Sequence, residues 1–229
     1  MESNYVKSAQ AGTVVNTLVR RVYLWMSVAL CITGLTAWVV AGSSWALNLM
    51  IGSPVAFWGI IIAQLVLVFT ISGAVNKLSF STLYALYILY SFLTGVTLSF
   101  IFIVFTASSI ASTFFVTAGV FAVMSIYGYA TKRDLTSFGN LLFMLLIGFI
   151  IASVVNLFMK SEMLYWIVTY AGVLIFVGLV AYDTQKLKAL AGMEENESTS
   201  KLALIGALSL YLDFINLFLL LLRILGRQK

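Results

Sequence analysis

Seven apolar runs follow one another along this chain of 229 residues, with only short polar segments between most of them. An α-helix needs about 20 apolar residues to cross the roughly 30 Å hydrocarbon core of a bilayer. The runs cover residues 22–41, 55–75, 82–104, 110–130, 138–158, 164–181 and 202–222. A composition of 62% hydrophobic and 9% charged residues exceeds what a water-soluble domain can bury. The pattern predicts an all-α, polytopic membrane protein with seven transmembrane helices.

The polar segments outside these runs define the predicted organisation. Residues 1–21 form a polar N-terminal segment that is too long for the start of a signal peptide, so we expect the first run to be retained as a span. Residues 22–229 are expected to form a single transmembrane domain. The longest connection, residues 182–201, contains Glu194, Glu195 and Glu197 and is typical of a solvated loop.

Basic residues near the ends of the runs predict the orientation, because cytoplasmic loops are enriched in Lys and Arg. If the N-terminus is cytoplasmic, Lys160 is the only basic residue in the loops on the other side. The side of the C-terminus stays open, since Arg223, Arg227 and Lys229 follow the seventh run. Their charges favour a re-entrant run, whereas the length of the run favours crossing. In both cases the bias predicts a cytoplasmic N-terminus.

The composition also excludes several kinds of site. The chain has no histidine, which removes the usual zinc ligand and the usual general base, and any proton sensing near neutral pH must use carboxylates. A single cysteine, Cys31, excludes an intramolecular disulfide. The formal charge of +5 lies almost wholly outside the apolar runs and contains no polybasic block. We expect the lipid bilayer, and not nucleic acid, as partner.

Asp213 is the most informative residue for function, because it lies inside the last apolar run. A carboxylate at the centre of a spanning helix costs about 3 kcal/mol by insertion scales, so such a residue usually binds, relays or gates something. Asn216 follows three residues later on the same helix face. Both side chains should point into the bundle, where Asn216 is a candidate hydrogen-bond donor to the carboxylate.

Weaker candidates lie in the second and third runs. Thr94 and Thr97 share one helix face with Ser91 one turn earlier, and Gln64 is the polar residue of the second run. Such groups either line a water-filled path or join helices through hydrogen bonds worth about 0.6 kcal/mol each. Close helix packing is expected at the glycines of the runs, which are Gly34, Gly95, Gly119, Gly148, Gly172, Gly178 and Gly206.

Asp183 is a second carboxylate, and it follows the sixth run near the expected cytoplasmic edge. Asp213 lies about 17 Å from the start of its run at 1.5 Å per residue, so spacing alone does not force the two together. If they do approach in a poorly solvated site, they cannot both ionise cheaply and would share a proton. Two ionised carboxylates would also attract Ca²⁺, which prefers oxygen ligands.

Three segments carry a family resemblance: YGYATKRDLTSFG at 127–139, YDTQKLK at 182–188 and ALSLYLDFINLFLLLLR at 207–223. With them, nearly the whole chain from Arg20 onward resembles the transmembrane Bax inhibitor motif family, in particular its bacterial YbhL-like branch. The resemblance implies seven helices with the last at the centre of the bundle. It also implies a pH-sensitive Ca²⁺ leak in which Asp183 pairs with Asp213, with Tyr182 and Asn216 beside them, and a bacterial inner-membrane location.

The second run departs from this family pattern. Some relatives have an acidic residue in the second helix and a basic residue near its end, which help to form the ion path and its latch. Here the corresponding region offers Gln64 and, past the run, Asn76 and Lys77. Loss of the acid weakens a purely electrostatic Ca²⁺ path, and Lys lacks the planar fork with which Arg pairs a carboxylate.

Three functions are therefore compared. The first is a non-enzymatic, pH-gated cation leak that needs no cofactor beyond transient Ca²⁺ at Asp183 and Asp213. The second is a non-conducting membrane regulator of stress or protease complexes, with partners still to be identified. The third is an intramembrane aspartyl protease, which is disfavoured because Leu210, Tyr211 and Leu212 precede Asp213 in place of the glycine-flanked GxGD pattern. The family resemblance favours the leak.

Overall fold

The structure is a computed structural model of the chain, and it describes residues 2–45, 47, 52–190 and 196–229. Side chains are described for residues 18–45, 47, 52–188 and 196–229. Within these ranges, seven helices are long and apolar enough to cross a membrane. They are α1 (Glu2–Ala41), α2 (Pro54–Gly73), α3 (Phe80–Leu98), α4 (Ala107–Ala130), α5 (Thr136–Met159), α6 (Glu162–Leu190) and α7 (Glu197–Leu225). A one-turn helix, Ile101–Val104, completes the third span. The predicted all-α, seven-span fold is confirmed.

Local sequence signals fix the starts of two helices. Pro54 occupies the first turn of α2, where its missing N–H costs nothing, and Ser53 accepts a hydrogen bond from the Ala56 amide at 3.3 Å. Ser79 caps α3 in the same way through the Thr82 amide, at 3.3 Å.

The helices extend beyond the predicted runs at two places. Helix α1 begins at Glu2, so the backbone is helical through the polar segment 2–21. The predicted loop 182–201 is shorter than expected, because α6 continues to Leu190 and α7 already begins at Glu197. Glu194 and Glu195 lie outside the described residues.

The chain divides into two compact units, which are described separately. Unit 1 contains Met1–Thr106, Leu190–Tyr211 and Gln228–Lys229, and unit 2 contains Ala107–Ala189 and Leu212–Arg227. Helix α7 thus contributes its first half to unit 1 and its second half to unit 2. The organisation of residues 22–229 as one functional domain stays a prediction.

Unit 1 is held together by close packing of α1 on α3 and by the start of α7. A methyl group added at Gly95 would lie 2.6 Å from the Thr33 carbonyl oxygen, so only glycine permits this approach. At the other end, Glu197 accepts a hydrogen bond from the Phe80 amide at 3.2 Å and forms an ion pair with Lys201 at 3.0 Å.

Unit 2 has an apolar core contributed by α5, α6 and α7, and its buried members are Leu142, Ile175, Phe176, Leu179, Leu217 and Leu220. Helix α7 is the most buried of the spans, with 61% of its most apolar window buried, against 6% for α5. The exposed apolar surface of α5 fits a membrane-spanning helix, because apolar side chains on the outside of a membrane protein meet lipid.

The C-terminus follows a helix that is long enough to cross completely. Helix α7 has 29 residues, which corresponds to about 44 Å at 1.5 Å per residue. Beyond it, Gln228 forms an antiparallel bridge with Phe105, and the Lys229 amide donates to the Val104 carbonyl at 3.0 Å. The C-terminus therefore meets the end of the third span. If every span crosses, the third and seventh end on the same side, so this contact favours crossing over re-entry.

Candidate functional site

Asp213 lies in the middle of α7 with only 5% of its surface exposed. It is the only carboxylate among the buried side chains of the described residues. Its Oδ2 atom has no hydrogen-bond partner within that part of the chain. Buried polar atoms are nearly always paired, so an unpaired carboxyl oxygen inside a span marks a position where stability has been given up.

Asp183 belongs to the same unit and lies within electrostatic range of Asp213. It is part of α6, which continues for about two further turns to Leu190, and its side chain is half-buried. Asp183 was predicted to follow the sixth span, but it lies within helix α6. The assignment of the pair to ion passage and proton sensing stays a prediction.

Close packing on two glycines positions α6 around Asp183. The backbone of Gly128 on α4 lies against the backbone of Ala181, so even a methyl group there would overlap the Ala181 carbonyl. Gly139 on α5 lies against the ring of Tyr182 in the same way. These two residues therefore fix the height and rotation of the turn that presents Asp183.

The sequence analysis did not single out Gly128 and Gly139, although both belong to the segment 127–139 that carries the family resemblance. Among the glycines that were predicted to pack closely, Gly95, Gly172 and Gly178 do so. In contrast, Gly34, Gly119 and Gly148 have no heavy atom within 4 Å of an added Cβ. Close packing at those three positions was predicted wrongly.

Two polar residues after Asp183 fasten α6 to the end of α4 and to the loop that follows it. Gln185 Oε1 accepts from the Leu135 amide at 2.8 Å, and Gln185 Nε2 donates to the Arg133 carbonyl at 2.8 Å. Lys188 Nζ donates to the Tyr129 carbonyl at 2.8 Å and lies 5.1 Å from the centre of the Tyr129 ring. The YDTQKLK segment thus contains both Asp183 and the two residues, Gln185 and Lys188, that hold this part of α6 in place. The role of Gln185 and Lys188 was not predicted from the sequence.

The same loop holds an exposed carboxylate with a different environment. Asp134 Oδ1 accepts from the Thr136 hydroxyl at 2.6 Å and from the Thr136 amide at 2.9 Å. These bonds, the hydroxyl first, hold the pKa of Asp134 below its ordinary value because they favour the ionised form. Asp134 is a solvated, partnered acid, in contrast to Asp213.

The two residues expected beside the carboxylate pair have other contacts. Tyr182 packs its ring on Gly139. Asn216 Nδ2 donates to the Leu212 carbonyl one turn earlier, at 2.9 Å, and Oδ2 of Asp213 receives no bond from it. The expected role of Tyr182 and Asn216 beside the carboxylate pair stays a prediction, because the contacts described here do not involve Asp213 Oδ2.

The two carboxylates offer few ligands to a metal ion. Within the described ranges, no group of three or more Asp, Glu, His or Cys side chains is arranged to hold a metal. Ca²⁺ takes six to eight oxygen ligands, and two carboxylates supply at most about four. The donor set is incomplete for a resident metal.

The sequence was compared with known families and proteins. It matches the family described as "Inhibitor of apoptosis-promoting Bax1" over residues 15–229. The chain belongs to the Bax inhibitor family. The resemblance of the three motif segments is thereby confirmed.

Three bacterial proteins are similar to this Bax inhibitor family member. The inner membrane protein YbhL of Escherichia coli strain K12 is 53% identical over 230 residues, with 99% of this chain and 97% of that protein covered. An uncharacterized protein of Borreliella burgdorferi is 44% identical over 216 residues, with 93% of each chain covered. An uncharacterized membrane protein of Streptococcus pyogenes serotype M6 is 40% identical over 182 residues, with 80% and 79% covered. The protein is thus an integral, multi-pass membrane protein with an inner-membrane relative, and these names include no enzyme class.

The weaker candidates of this family member meet in unit 1. Gln64 Nε2 donates to Thr94 Oγ1 at 3.1 Å and to Thr97 Oγ1 at 3.4 Å. Thr94 and Thr97 in turn donate to backbone carbonyls of their own helix, at 2.9 Å each. The three side chains therefore form an uncharged, mutually bonded cluster between α2 and α3. Lys77 belongs to unit 1 as well and is exposed in the turn after α2.

A second uncharged network in unit 1 was not predicted. The Tyr211 hydroxyl shares a 2.7 Å hydrogen bond with Thr33 Oγ1, which donates to the Ser91 carbonyl at 2.9 Å. The Tyr211 ring also meets Tyr87 and Tyr90 edge-on, at 6.2 and 6.0 Å between centroids. The contacts of Tyr211 with α1 and α3 could not be predicted, because the sequence pattern does not indicate which helices lie beside it.

Proposed function

We propose that this protein is a proton-gated cation leak in which Asp213 senses protons and Asp183 is its partner, with Ca²⁺ as the transported ion. The observation that carries the proposal is the unpaired Oδ2 of Asp213, buried within electrostatic range of Asp183. Membership of the Bax inhibitor family supports it.

The chemistry of the pair explains how protons would control passage. Two carboxylates in a poorly solvated site share a proton, and loss of that proton leaves two negative charges that repel each other and attract a cation. The pair then binds Ca²⁺ weakly, because most of the ligand shell must be completed by water. Weak binding suits passage, since a conducted ion must leave as readily as it enters.

The orientation belongs to the same proposal. The positive-inside bias supports a cytoplasmic N-terminus. The C-terminal end of α6, with Asp183, then faces the cytoplasmic side, and cytoplasmic pH acts on the pair.

Calcium flux into dye-loaded proteoliposomes tests the leak. We compare the flux at about pH 6 and at about pH 8 and expect that of the parent protein to differ, because gain or loss of the shared proton changes the charge of the pair. Asp213→Asn and Asp183→Asn should remove this pH dependence. Asp134→Asn is the matched control, because it removes an exposed carboxylate of the same unit and should leave the profile unchanged.

A parent protein that moves no Ca²⁺ at any pH would contradict the proposal, as would an unchanged profile in Asp213→Asn. Absence of flux would favour the second candidate, a non-conducting membrane regulator. One observation favours that candidate: Gln64 is neutral and is engaged by Thr94 and Thr97, so α2 offers no acid to a cation path. Co-purification of a defined membrane complex with the intact protein would then be the decisive measurement.

A further inference from the structure

A cavity of about 520 Å³ lies in unit 2 between the C-terminal ends of α5 and α7 and the start of α6. Its size falls within the range of ligand-binding pockets. Its inner wall is apolar and includes Phe149, Leu157 and Leu220. The polar residues that line it include Lys160 and Arg223, and no acidic side chain is among them. The cavity therefore combines an apolar inner wall with two positively charged side chains.

The two cations have no acidic partner within the part of the chain that the structure describes. Arg223 instead stacks on Tyr165, with its guanidinium carbon 5.3 Å from the ring centre. Lys160 forms no ion pair there, and its side chain is exposed. A pair of uncompensated cations beside an apolar cavity is complementary to a molecule that has an anionic head and an apolar tail.

The loop backbone holds Lys160 in place. Its φ of 50° is a left-handed conformation that lysine rarely adopts, and its amide donates to the Asn156 carbonyl at 2.8 Å. Asn156 Oδ1 also accepts from the Ser161 amide at 3.0 Å. Asn156 thus fastens the loop on both sides of Lys160, so the ammonium group is presented by a defined turn.

Aromatic side chains near the start of α6 mark the level of the lipid headgroups. Trp166 meets Tyr165 edge-on at 5.5 Å and stacks on Tyr170 at 5.8 Å between ring centroids. Trp and Tyr concentrate at the membrane–water interface. The mouth of the cavity is therefore at the depth where lipid phosphates lie.

We propose that this cavity binds an anionic phospholipid of the bilayer, with its phosphate between Lys160 and Arg223 and one acyl chain along the apolar wall. The guanidinium fork of Arg223 matches a phosphate group, and the Lys160 ammonium group supplies a second charge-assisted contact to it. Asn216, which follows Asp213 by three residues, also lines this cavity, but neither carboxylate of the pair does. The two positive charges make the cavity an unsuitable entrance for a cation, unless a bound anion neutralises them.

Native mass spectrometry of the intact protein, with added phosphatidylglycerol or phosphatidylcholine, tests the proposal. We expect the parent to retain phosphatidylglycerol in preference to phosphatidylcholine. Each of Lys160→Asn and Arg223→Gln should weaken that retention about fivefold, because a basic side chain near an anionic lipid contributes about that factor. Asn tolerates the left-handed backbone of position 160, so the loop stays folded. Lys132→Gln, an exposed basic residue outside the cavity, is the control.

A cavity-filling variant separates the cavity from surface charge. Ser153→Phe inserts a ring among the lining residues while both cations remain, and it should also abolish retention, whereas Ser153→Ala should not. Equal retention of both lipids by the parent would overturn the proposal. So would unchanged retention in the double variant of Lys160→Asn and Arg223→Gln. Displacement of the lipid by equimolar inorganic phosphate would show that the site takes a free anion and not a lipid.

Discussion

The two units bury polar side chains in different ways. Unit 1 pairs its buried polar groups with one another or with backbone carbonyls, as Tyr211, Thr33 and Ser91 show. Unit 2 does so only in part: buried Thr117 and Thr169 donate to backbone carbonyls, but other groups have no partner. Within the described residues, the buried side-chain polar atoms that lack a partner are Thr113 Oγ1, Ser125 Oγ and Asp213 Oδ2, and all three belong to unit 2. Both units have the same reason to satisfy polar atoms, since lipid offers no hydrogen bonds.

Whether a buried polar group is paired helps to distinguish residues that stabilise a membrane protein from residues that serve its function. A satisfied cluster adds stability and fixes the register of helices. An unsatisfied buried group costs stability and needs an explanation. The bonded cluster of Gln64, Thr94 and Thr97 fits a structural role, and the unpaired Oδ2 of Asp213 supports the role proposed for it above.

Replacement of Asp213 by Leu gives the largest effect expected from this comparison. The variant should raise the free energy of unfolding by about 3 kcal/mol, because the folded protein no longer holds an unpaired carboxyl group in the bilayer. It should also abolish the pH dependence of flux. Thermal unfolding in detergent, monitored by circular dichroism, measures the first effect.

Loss of stability in Asp213→Leu would mean that the carboxyl group has compensating interactions and that the contrast between the units is wrong. The control is Leu212→Ala, which alters the neighbouring position without touching the carboxylate and should destabilise.

Gly128→Ala should have the next largest effect, a loss of about 2 kcal/mol from overpacking against the Ala181 backbone. Because the displaced turn carries Asp183, the variant should also shift the pH profile of flux. Gly119→Ala on the same helix is the control: its added methyl group meets no atom within 4 Å, and alanine is the better helix former.

The matching variant in unit 1 is Gly95→Ala, whose methyl group would approach the Thr33 carbonyl. It should lower stability by a similar amount and leave the pH profile unchanged. A shifted profile in Gly95→Ala but not in Gly128→Ala would reverse the assignment of function to unit 2.

These glycines also show where sequence reasoning reaches its limit. The seven spans were predictable because hydrophobic length is a local property. The contacts of a glycine are not local: Gly119 and Gly128 lie on one helix, yet only Gly128 faces a backbone. Neither composition nor spacing distinguishes them.

The prediction of a loop over residues 182–201 was too long for a related reason. Gln185 and Lys188 were predicted to be solvated, but Gln185 bonds to the backbone of the loop between α4 and α5, and Lys188 donates to the Tyr129 carbonyl at the end of α4. The helix therefore continues through both residues. Asp213 was identified correctly as buried because the cost of a charge in lipid depends on position in the run alone. Its unpaired oxygen was not predictable, since pairing depends on neighbouring helices.

Removal of single hydroxyl groups tests the comparison at about 1 kcal/mol. Tyr211→Phe should lower stability by about that amount, because Thr33 loses a partner in a buried network. Thr113→Val in unit 2 removes a hydroxyl whose oxygen has no partner and should be neutral or stabilising. Paired unfolding measurements give the two signs directly. Equal losses in both variants would show that the Thr113 hydroxyl is satisfied.

The smallest effect is expected for Asp134, a carboxylate of unit 2 that is exposed and bonded to Thr136. Because folding lowers its pKa, Asp134 stabilises the folded protein above its unfolded pKa of about 4, and this contribution is lost as pH falls through the lower folded value. Asp134→Asn should therefore melt slightly below the parent at pH 7, and the two curves should converge in acid. A difference that persists at the lowest pH would assign the effect to geometry and not to charge. A difference as large as that of Asp213→Leu would show that burial is not what separates the two acids.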